Sequence, residues 1–287
     1  MVNILVTGAK GQLGNEIRQI SGSFQEYIFI FTDVDTLDVC NFSELDAFFL
    51  GRKINYIINC AAYTSVDKAE TEKEQANLIN VMAVKNLSKI SNKHNCKLIH
   101  ISTDYVFDSS PQNYPFREED DTAAISVYGA TKLAGEKELK NSDSCIIIRT
   151  SWLYSKFGNN ILKTIMRLGK EREVLNFVFD QVGTPTYAGD LADAIIKIID
   201  KMQKDGKFYP GIYHYSNEGV CSWYDFATAV VSISGLKCLV KPIETREYPL
   251  PAKRPPYSVL NKAKIKNTFQ IEIPHWLESL KKCISGF

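Results

Sequence analysis

Tyr128 and Lys132, in the run Val127-Tyr128-Gly129-Ala130-Thr131-Lys132, stand one helical turn apart, a spacing that stacks both side chains on one face of a helix. An ammonium beside a phenol is acid–base chemistry. The phenol titrates at about pH 10 when unperturbed, and a fixed positive charge nearby favours phenolate, so a tyrosine so placed can exchange a proton near neutrality. Tyr and Lys at this spacing also occur on solvated helix faces, so the pair takes its meaning from the elements that position it.

The amino terminus supplies the first of these. Met1 to Thr7 reads as a buried strand, and Gly8-Ala9-Lys10-Gly11-Gln12-Leu13-Gly14 places glycines three apart ahead of an amphipathic segment carrying Ile17 and Ile20. This is a strand, a phosphate turn and a helix. Gly8 permits the tight turn, Gly11 lets backbone N–H groups approach a pyrophosphate, and Gly14 lets the helix pack on the strand, with the helix amino end favouring the anion. Further apolar runs at 27–32, 56–60, 97–102 and 144–149 alternate with segments of helical period, the pattern of a doubly wound parallel sheet of Rossmann type. Ligands in such sheets sit beyond the carboxyl ends of the strands. There the chain offers Asp33, placed to accept hydrogen bonds from an adenosine ribose, then Ala61-Ala62-Tyr63-Thr64, then Thr103-Asp104-Tyr105.

Composition bounds the rest. With 287 residues, 45% of them hydrophobic, the chain suits one large α/β domain with a smaller lobe. Lys+Arg 34 against Asp+Glu 33 leaves a formal charge of +1, so neither nucleic acid nor an anionic membrane is an expected partner. No apolar stretch approaches the roughly 20 residues of a membrane span, and the start is a strand pattern and not a cleavable leader; a cytoplasmic protein is expected. The seven cysteines, Cys40, Cys60, Cys96, Cys145, Cys221, Cys238 and Cys283, are scattered and odd in number, which argues against a disulfide framework. His94, His100, His214 and His275 show no metal-ligand spacing. Beyond about residue 150 Pro185, Pro242, Pro249, Pro251, Pro255 and Pro256 break the pattern, with helical period returning at 187–201 and 223–233. The expected organisation is a dinucleotide-binding domain over 1–150 and a mixed α/β substrate lobe over 151–287, some segments of which return to the first domain.

The chain resembles the extended short-chain dehydrogenase/reductase family and, within it, the dTDP-4-dehydrorhamnose reductase group, over nearly its whole length. The resemblance lies in the glycine turn, in Asn59 to Glu70, in Ser102-Thr103-Asp104-Tyr105-Val106-Phe107-Asp108, in Val127-Tyr128-Gly129 with Lys132 to Glu136, in Arg149-Thr150-Ser151-Trp152, in Asp180 to Thr186, and in Arg254-Pro255. It implies reduction of the C4 keto group of a dTDP-linked 6-deoxy-L-lyxo-hexulose to dTDP-L-rhamnose, with hydride from NADPH or NADH. By it Thr103, Tyr128 and Lys132 are catalytic. Tyr128 donates its proton to the developing alkoxide, Thr103 hydrogen-bonds the same oxygen, and Lys132 holds ribose hydroxyls while lowering the tyrosine pKa. The implied cofactor residues are Gly8, Gly11, Gln12, Leu13, Gly14, Asp33, Asp38, Val39, Ala61, Ala62 and Tyr63 with Tyr128 and Lys132; those for the sugar nucleotide are Thr64, Val66, Thr103, Asp104, Tyr128, Trp152 and Arg254.

Related 4,6-dehydratases place Thr-Asp-Glu where this chain has Thr103-Asp104-Tyr105, and a phenol does not readily replace that glutamate as a base. Reduction of a different nucleotide-linked 4-keto-6-deoxy sugar is the nearest alternative. A second is a non-catalytic, dinucleotide-binding regulatory subunit, which the intact Thr103, Tyr128 and Lys132 disfavour. Several residues carry two readings: Asp104 as a turn cap or a sugar contact, Trp152 as core or as a surface for the hexose, Val66 as packing or pocket wall, and Arg254 as a pyrophosphate clamp or a surface salt bridge. Asp67, Lys68 and Glu70 read as a structural cluster at a helix start. Some members of the group dimerise around magnesium through a glutamate after the Pro-Thr run, but Tyr187-Ala188-Gly189 stands here, so no metal is expected and the chain should be a monomer or weak homodimer. Asp33 suits NADH whereas Lys10 or Arg18 could reach a 2′-phosphate, so both cofactors should be accepted.

Overall fold

Each apolar run of the amino-terminal half becomes a strand: β1 (Val2–Thr7), β2 (Tyr27–Phe31), β3 (Tyr56–Asn59), β4 (Lys97–Thr103) and β5 (Cys145–Thr150). The computed structural model describes residues 1–107, 113–140 and 142–287; Asp108, the last residue of the Thr-Asp-Tyr run, lies outside them. Among the described residues these strands and Gly211–His214 form one six-stranded parallel sheet, in the order 211–214, β5, β4, β3, β1, β2. β3 and β5 are buried along their whole length, as expected for strands covered on both faces. Register aligns polar residues of neighbouring strands: Thr7 lies beside Asn59, Asn59 beside His100 at the middle of β4, and Thr103 beside Thr150.

Period-two alternation divides the core between the two faces. Ile4, Val6 and Ile58 pack with Ile17 of helix α1 (Gln12–Ser21) and with Ile195 and Ile199 of the helix Ala188–Asp205. Leu5 and Ile57 face the other way, onto Leu45 and Phe49 of Phe42–Phe49 and Leu87 and Ile90 of Ala83–Lys93. Each such side chain, fully buried, contributes about 1.5–3 kcal/mol relative to exposure. This two-faced core holds the strand ends rigid beneath the groove.

After β5 the chain builds a second core, with Leu162, Ile165, Phe226, Val230 and Leu280 drawn from the helices Ile161–Glu171, Trp223–Ile233 and Trp276–Ile284. The lobes are interwoven. The helix Ala188–Asp205, the strand Gly211–His214 and the helix Ala263–Phe269, through Ile265 and Phe269, all rejoin the first core. A tie also crosses between them, Ser155 Oγ donating to Glu16 of α1 at 2.6 Å. All seven cysteines are free. No helix among the described residues is long and apolar enough to cross a membrane.

Candidate active site

The carboxyl ends of the strands open into one groove with two ends. A cavity of about 440 Å³ at one end is lined by Gly8, Asp33, Asp38, Val39 and Ala61. A larger one, about 640 Å³, is lined by Gln12, Leu13, Thr64, Val66, Thr103, Asp104, Tyr128, Lys132 and Trp152. Gly11, Cys60 and Ala62 line both.

The first end has the construction of a dinucleotide cradle. Gly8 adopts φ +63°, and a Cβ there would fall 2.6 Å from the backbone nitrogen of Ala61; only glycine lets the turn pass this close to β3. Gly14 sits behind the groove, where a Cβ would fall 2.5 Å from Ala9 Cα, so it seats α1 on the turn. Gly11 caps α1 with no side-chain hydrogen bond, which leaves the first-turn N–H groups for an anion. Asp33 accepts from the backbone N–H groups of Lys10 and Val34 at 2.8 and 2.9 Å, while Lys10 Nζ pairs with Asp35 at 2.5 Å. Tyr63 departs from expectation and lines neither cavity. Its hydroxyl donates to Glu72 and its backbone N–H and C=O are both held by the Asn80 amide, a competition between side-chain partners that spacing cannot reveal.

The second end depends on the helix Val127–Lys137, whose first turn is capped by Ser126 Oγ accepting from Gly129 N–H at 3.1 Å. A Cβ on Gly129 would lie 2.2 Å from Tyr105 O. Glycine thus brings the helix against the turn Asp104–Val106 and Tyr128 toward Thr103. Further along, Glu136 accepts two hydrogen bonds from Arg149, at 3.0 and 2.8 Å, and one from Ser102 at 2.5 Å, all buried. This network fastens the helix to β4 and β5. Glu70 accepts from Val127 N–H at 2.9 Å and fixes the other end of the helix.

Burial, not the lysine, governs the acid. The Tyr128 phenol is pushed up to about 12, chiefly by burial and then by the Asp104 carboxylate, with a hydrogen bond involving Thr103 opposing. The expected depression by Lys132 is absent. Lys132 is itself lowered to about 8 by burial, against the pull of Glu136, and its Nζ donates to Ile101 O at 2.7 Å and stands 3.4 Å from His100 Nε2. A phenol so raised stays protonated at neutral pH, as a proton donor must. Asp104, raised to about 6 by burial with Ser258 and Thr103 opposing, accepts from Thr103 Oγ1 at 3.0 Å through Oδ1. Its Oδ2, like Gln12 Oε1, is a buried atom without a hydrogen-bond partner among the described residues. Both residues line the larger cavity, so two unsatisfied acceptors await ligand donors.

Trp152 adopts φ +47°, an uncommon conformation for a bulky residue, and stacks on Trp223 with ring centroids 3.5 Å apart and planes 6° from parallel. Both rings line the larger cavity. Arg254 does not. Its guanidinium forms a two-pronged pair with Asp67 at 3.1 and 2.7 Å, and Asp67 also accepts from Ala252 N–H, so of its two readings the salt bridge is the one formed. It straps the proline-rich segment to the helix Val66–Ala69. Gln181 is likewise a latch, donating to Thr245. No His, Cys, Asp or Glu cluster among the described residues is arranged for a metal.

Trp223, Asn59 and His100 enter the site or its support without having been singled out from the sequence. Trp223 follows Ser222, which with Asp225 makes a capping box, and Ser-x-x-Asp is a readable helix start. Asn59, at the end of β3, and His100, in the middle of β4, are polar interruptions of buried strands, a signal that points inward without naming a partner.

The family described as RmlD substrate binding domain matches residues 2–287. A dTDP-4-dehydrorhamnose reductase of Aggregatibacter actinomycetemcomitans is 40% identical over 98% of this chain and 98% of its own. A crystal structure of a dTDP-4-dehydrorhamnose reductase from Clostridium acetobutylicum is similar at TM-score 0.92 and 42% identity, covering 99% of both chains. Another from Bacillus anthracis, in complex with NADP, gives TM-score 0.94 and 38% identity over 100% of both.

Proposed function

The chain belongs to the RmlD substrate binding domain family, and on that premise we propose that it is a reductase that converts dTDP-4-dehydrorhamnose to dTDP-L-rhamnose with NADPH or NADH. Relatives from Aggregatibacter actinomycetemcomitans and Clostridium acetobutylicum that it matches over nearly full length are named for that reaction, and another so named was solved with NADP. The observation that carries the reading is that Tyr128, Thr103 and Lys132 all line one cavity, which shares Gly11 with the cavity at the glycine turn.

The cofactor, when bound, supplies the hydride. The turn residues Gly8, Gly11, Gln12 and Leu13 hold its pyrophosphate by backbone N–H groups, and Asp33, Asp38 and Val39 receive the adenosine end. Tyr128 delivers its proton to the C4 oxygen as negative charge develops there, and Thr103 Oγ1 hydrogen-bonds the same oxygen. Lys132 presents its amine to the ribose. Asp104 Oδ2 accepts from a sugar hydroxyl, and the Trp152–Trp223 stack with Thr64 and Val66 walls the hexose. The lobe beyond residue 150 thus supplies the sugar-nucleotide wall, and the protein works in the cytoplasm as a monomer or weak homodimer. The test is keto-sugar-dependent oxidation of NADPH and NADH, with identification of the sugar product. Turnover with formation of dTDP-L-rhamnose is expected. Tight cofactor binding with no turnover of any 4-keto-6-deoxy sugar nucleotide would leave only a dinucleotide-binding regulator.

A further inference from the structure

The adenosine end of the groove holds a competition for one cation that the reaction above leaves open. Asp33 stands two residues past β2, where an acid in this type of sheet accepts from the 2′-hydroxyl of an adenosine ribose. Its carboxylate is held in place, with Oδ2 accepting from Lys10 N–H at 2.8 Å and Oδ1 from Val34 N–H at 2.9 Å. The first of these bonds sets the Lys10 backbone beside that carboxylate, so the lysine side chain starts at the rim of the same cavity. Among the described residues that line it, Lys10 is the one cation, against Asp33 and Asp38. Arg18 is committed elsewhere: its guanidinium lies 4.2 Å from the centre of the Phe31 ring, and it is absent from the lining.

The turn that presents Asp33 also presents Asp35. Thr36 and Leu37 N–H both donate to Asp33 O at 2.8 Å, and Asp33 N–H donates to Thr36 Oγ1 at 2.9 Å, which closes residues 33–37 into one unit. Asp35 Oδ2 receives Lys10 Nζ at 2.5 Å. NADPH differs from NADH by a phosphate on the ribose 2′-oxygen, a group of nearly two negative charges at neutral pH, and here it is set against Asp33. It needs a counter-cation, and an ammonium serves a phosphate as a point charge. While Lys10 lies on Asp35, its charge is already matched and one of its N–H donors already used. We propose that Asp35 is a specificity-determining residue for the dinucleotide: it sequesters Lys10, so that NADH finds Asp33 ready for its 2′-hydroxyl, whereas NADPH binds only by drawing Lys10 off Asp35. Both side chains of the pair are more than half exposed, and such pairs part easily in water, so NADPH is disfavoured and not excluded.

This assignment rests on the reading of the glycine-turn cavity as the dinucleotide end of a reductase, so the test reads binding apart from turnover. Equilibrium binding of NADPH and of NADH, followed by nicotinamide fluorescence with no sugar nucleotide present, is compared for the wild type, Asp35→Asn, Lys10→Met and the double variant. Asp35→Asn frees the ammonium and should tighten NADPH roughly fivefold, the scale of one exposed charge pair, while NADH moves by less than about twofold. In the Lys10→Met background the same substitution should move NADPH by less than about twofold, because the two residues act as one coupled pair. Equal tightening in both backgrounds would mean that Asp35 only repels the phosphate through space, and overturns the proposal; so would an NADPH affinity that Asp35→Asn leaves in place. A wild type that binds neither dinucleotide would overturn the site and the proposal together. The expected binding pattern with no turnover of any 4-keto-6-deoxy sugar nucleotide would overturn the reductase reading and leave the role of Asp35 standing.

Discussion

The two ends of the groove carry the same kinds of charged group in opposite settings. At the adenosine end Lys10 and Asp35 pair with side chains 67% and 54% exposed, where water screens the attraction and the partners can part when a ligand arrives. At the catalytic end Glu136 and Arg149 pair at 2.8 Å with side chains 4% and 3% exposed, where neither charge has an alternative partner in water. The exposed pair can exchange its partners for water, and the buried one is a fixed part of the fold. pKa values divide in the same way: burial is the leading cause at Tyr128, Lys132 and Asp104, whereas the direct hydrogen bond leads at Lys10 and Asp35.

Substitutions at the two ends should therefore differ in kind and in size. The largest effect is expected at Tyr128→Phe, which removes the acid and should lower kcat by roughly 10²–10⁴-fold while cofactor binding, followed by fluorescence, is retained. Turnover within a few-fold of wild type would remove Tyr128 from the chemistry. Glu136→Gln leaves Arg149 buried without a counter-charge and should cost about 3–5 kcal/mol of stability in urea unfolding. Asp35→Asn should leave the urea midpoint in place. Equal effects of the two substitutions would erase the contrast between the ends.

Asp104 offers a sharper probe because its effect has a sign. A carboxyl whose folded-state pKa is raised binds protons more tightly in the folded chain, so the stability it confers is full below the unfolded value and is lost as pH rises through about 6. The loss is on the order of 2–3 kcal/mol by the linkage relation. Asp104→Asn should be flat over that window, and parallel stability–pH curves for the two proteins would show that the burial cost is not felt. The smallest effect is expected at Asp33→Ala, which removes a negative charge that disfavours a 2′-phosphate. It should raise the NADPH-to-NADH ratio of kcat/KM by roughly tenfold, and an unchanged ratio would place Asp33 outside the adenosine contact.

Much of this molecule is written locally. The glycine turn is legible because only glycine tolerates φ +63° with Ala61 against it, and the apolar runs are legible because strands buried on both faces need unbroken hydrophobicity. Thr103, Tyr128 and Lys132 are legible because strand ends and one helical turn are short-range geometry. What spacing could not supply is which long-range neighbour each polar group meets. Tyr63 turned to Glu72, Arg254 to Asp67, and Lys132 to Ile101 O and His100, so the phenol that sequence proximity makes acidic is raised instead. That the strand at 211–214 lies beside β5 is set only by packing. Periodicity specifies which face of an element is buried; desolvation and hydrogen-bond competition depend on every element that closes over that face, and those exist only once the chain has folded.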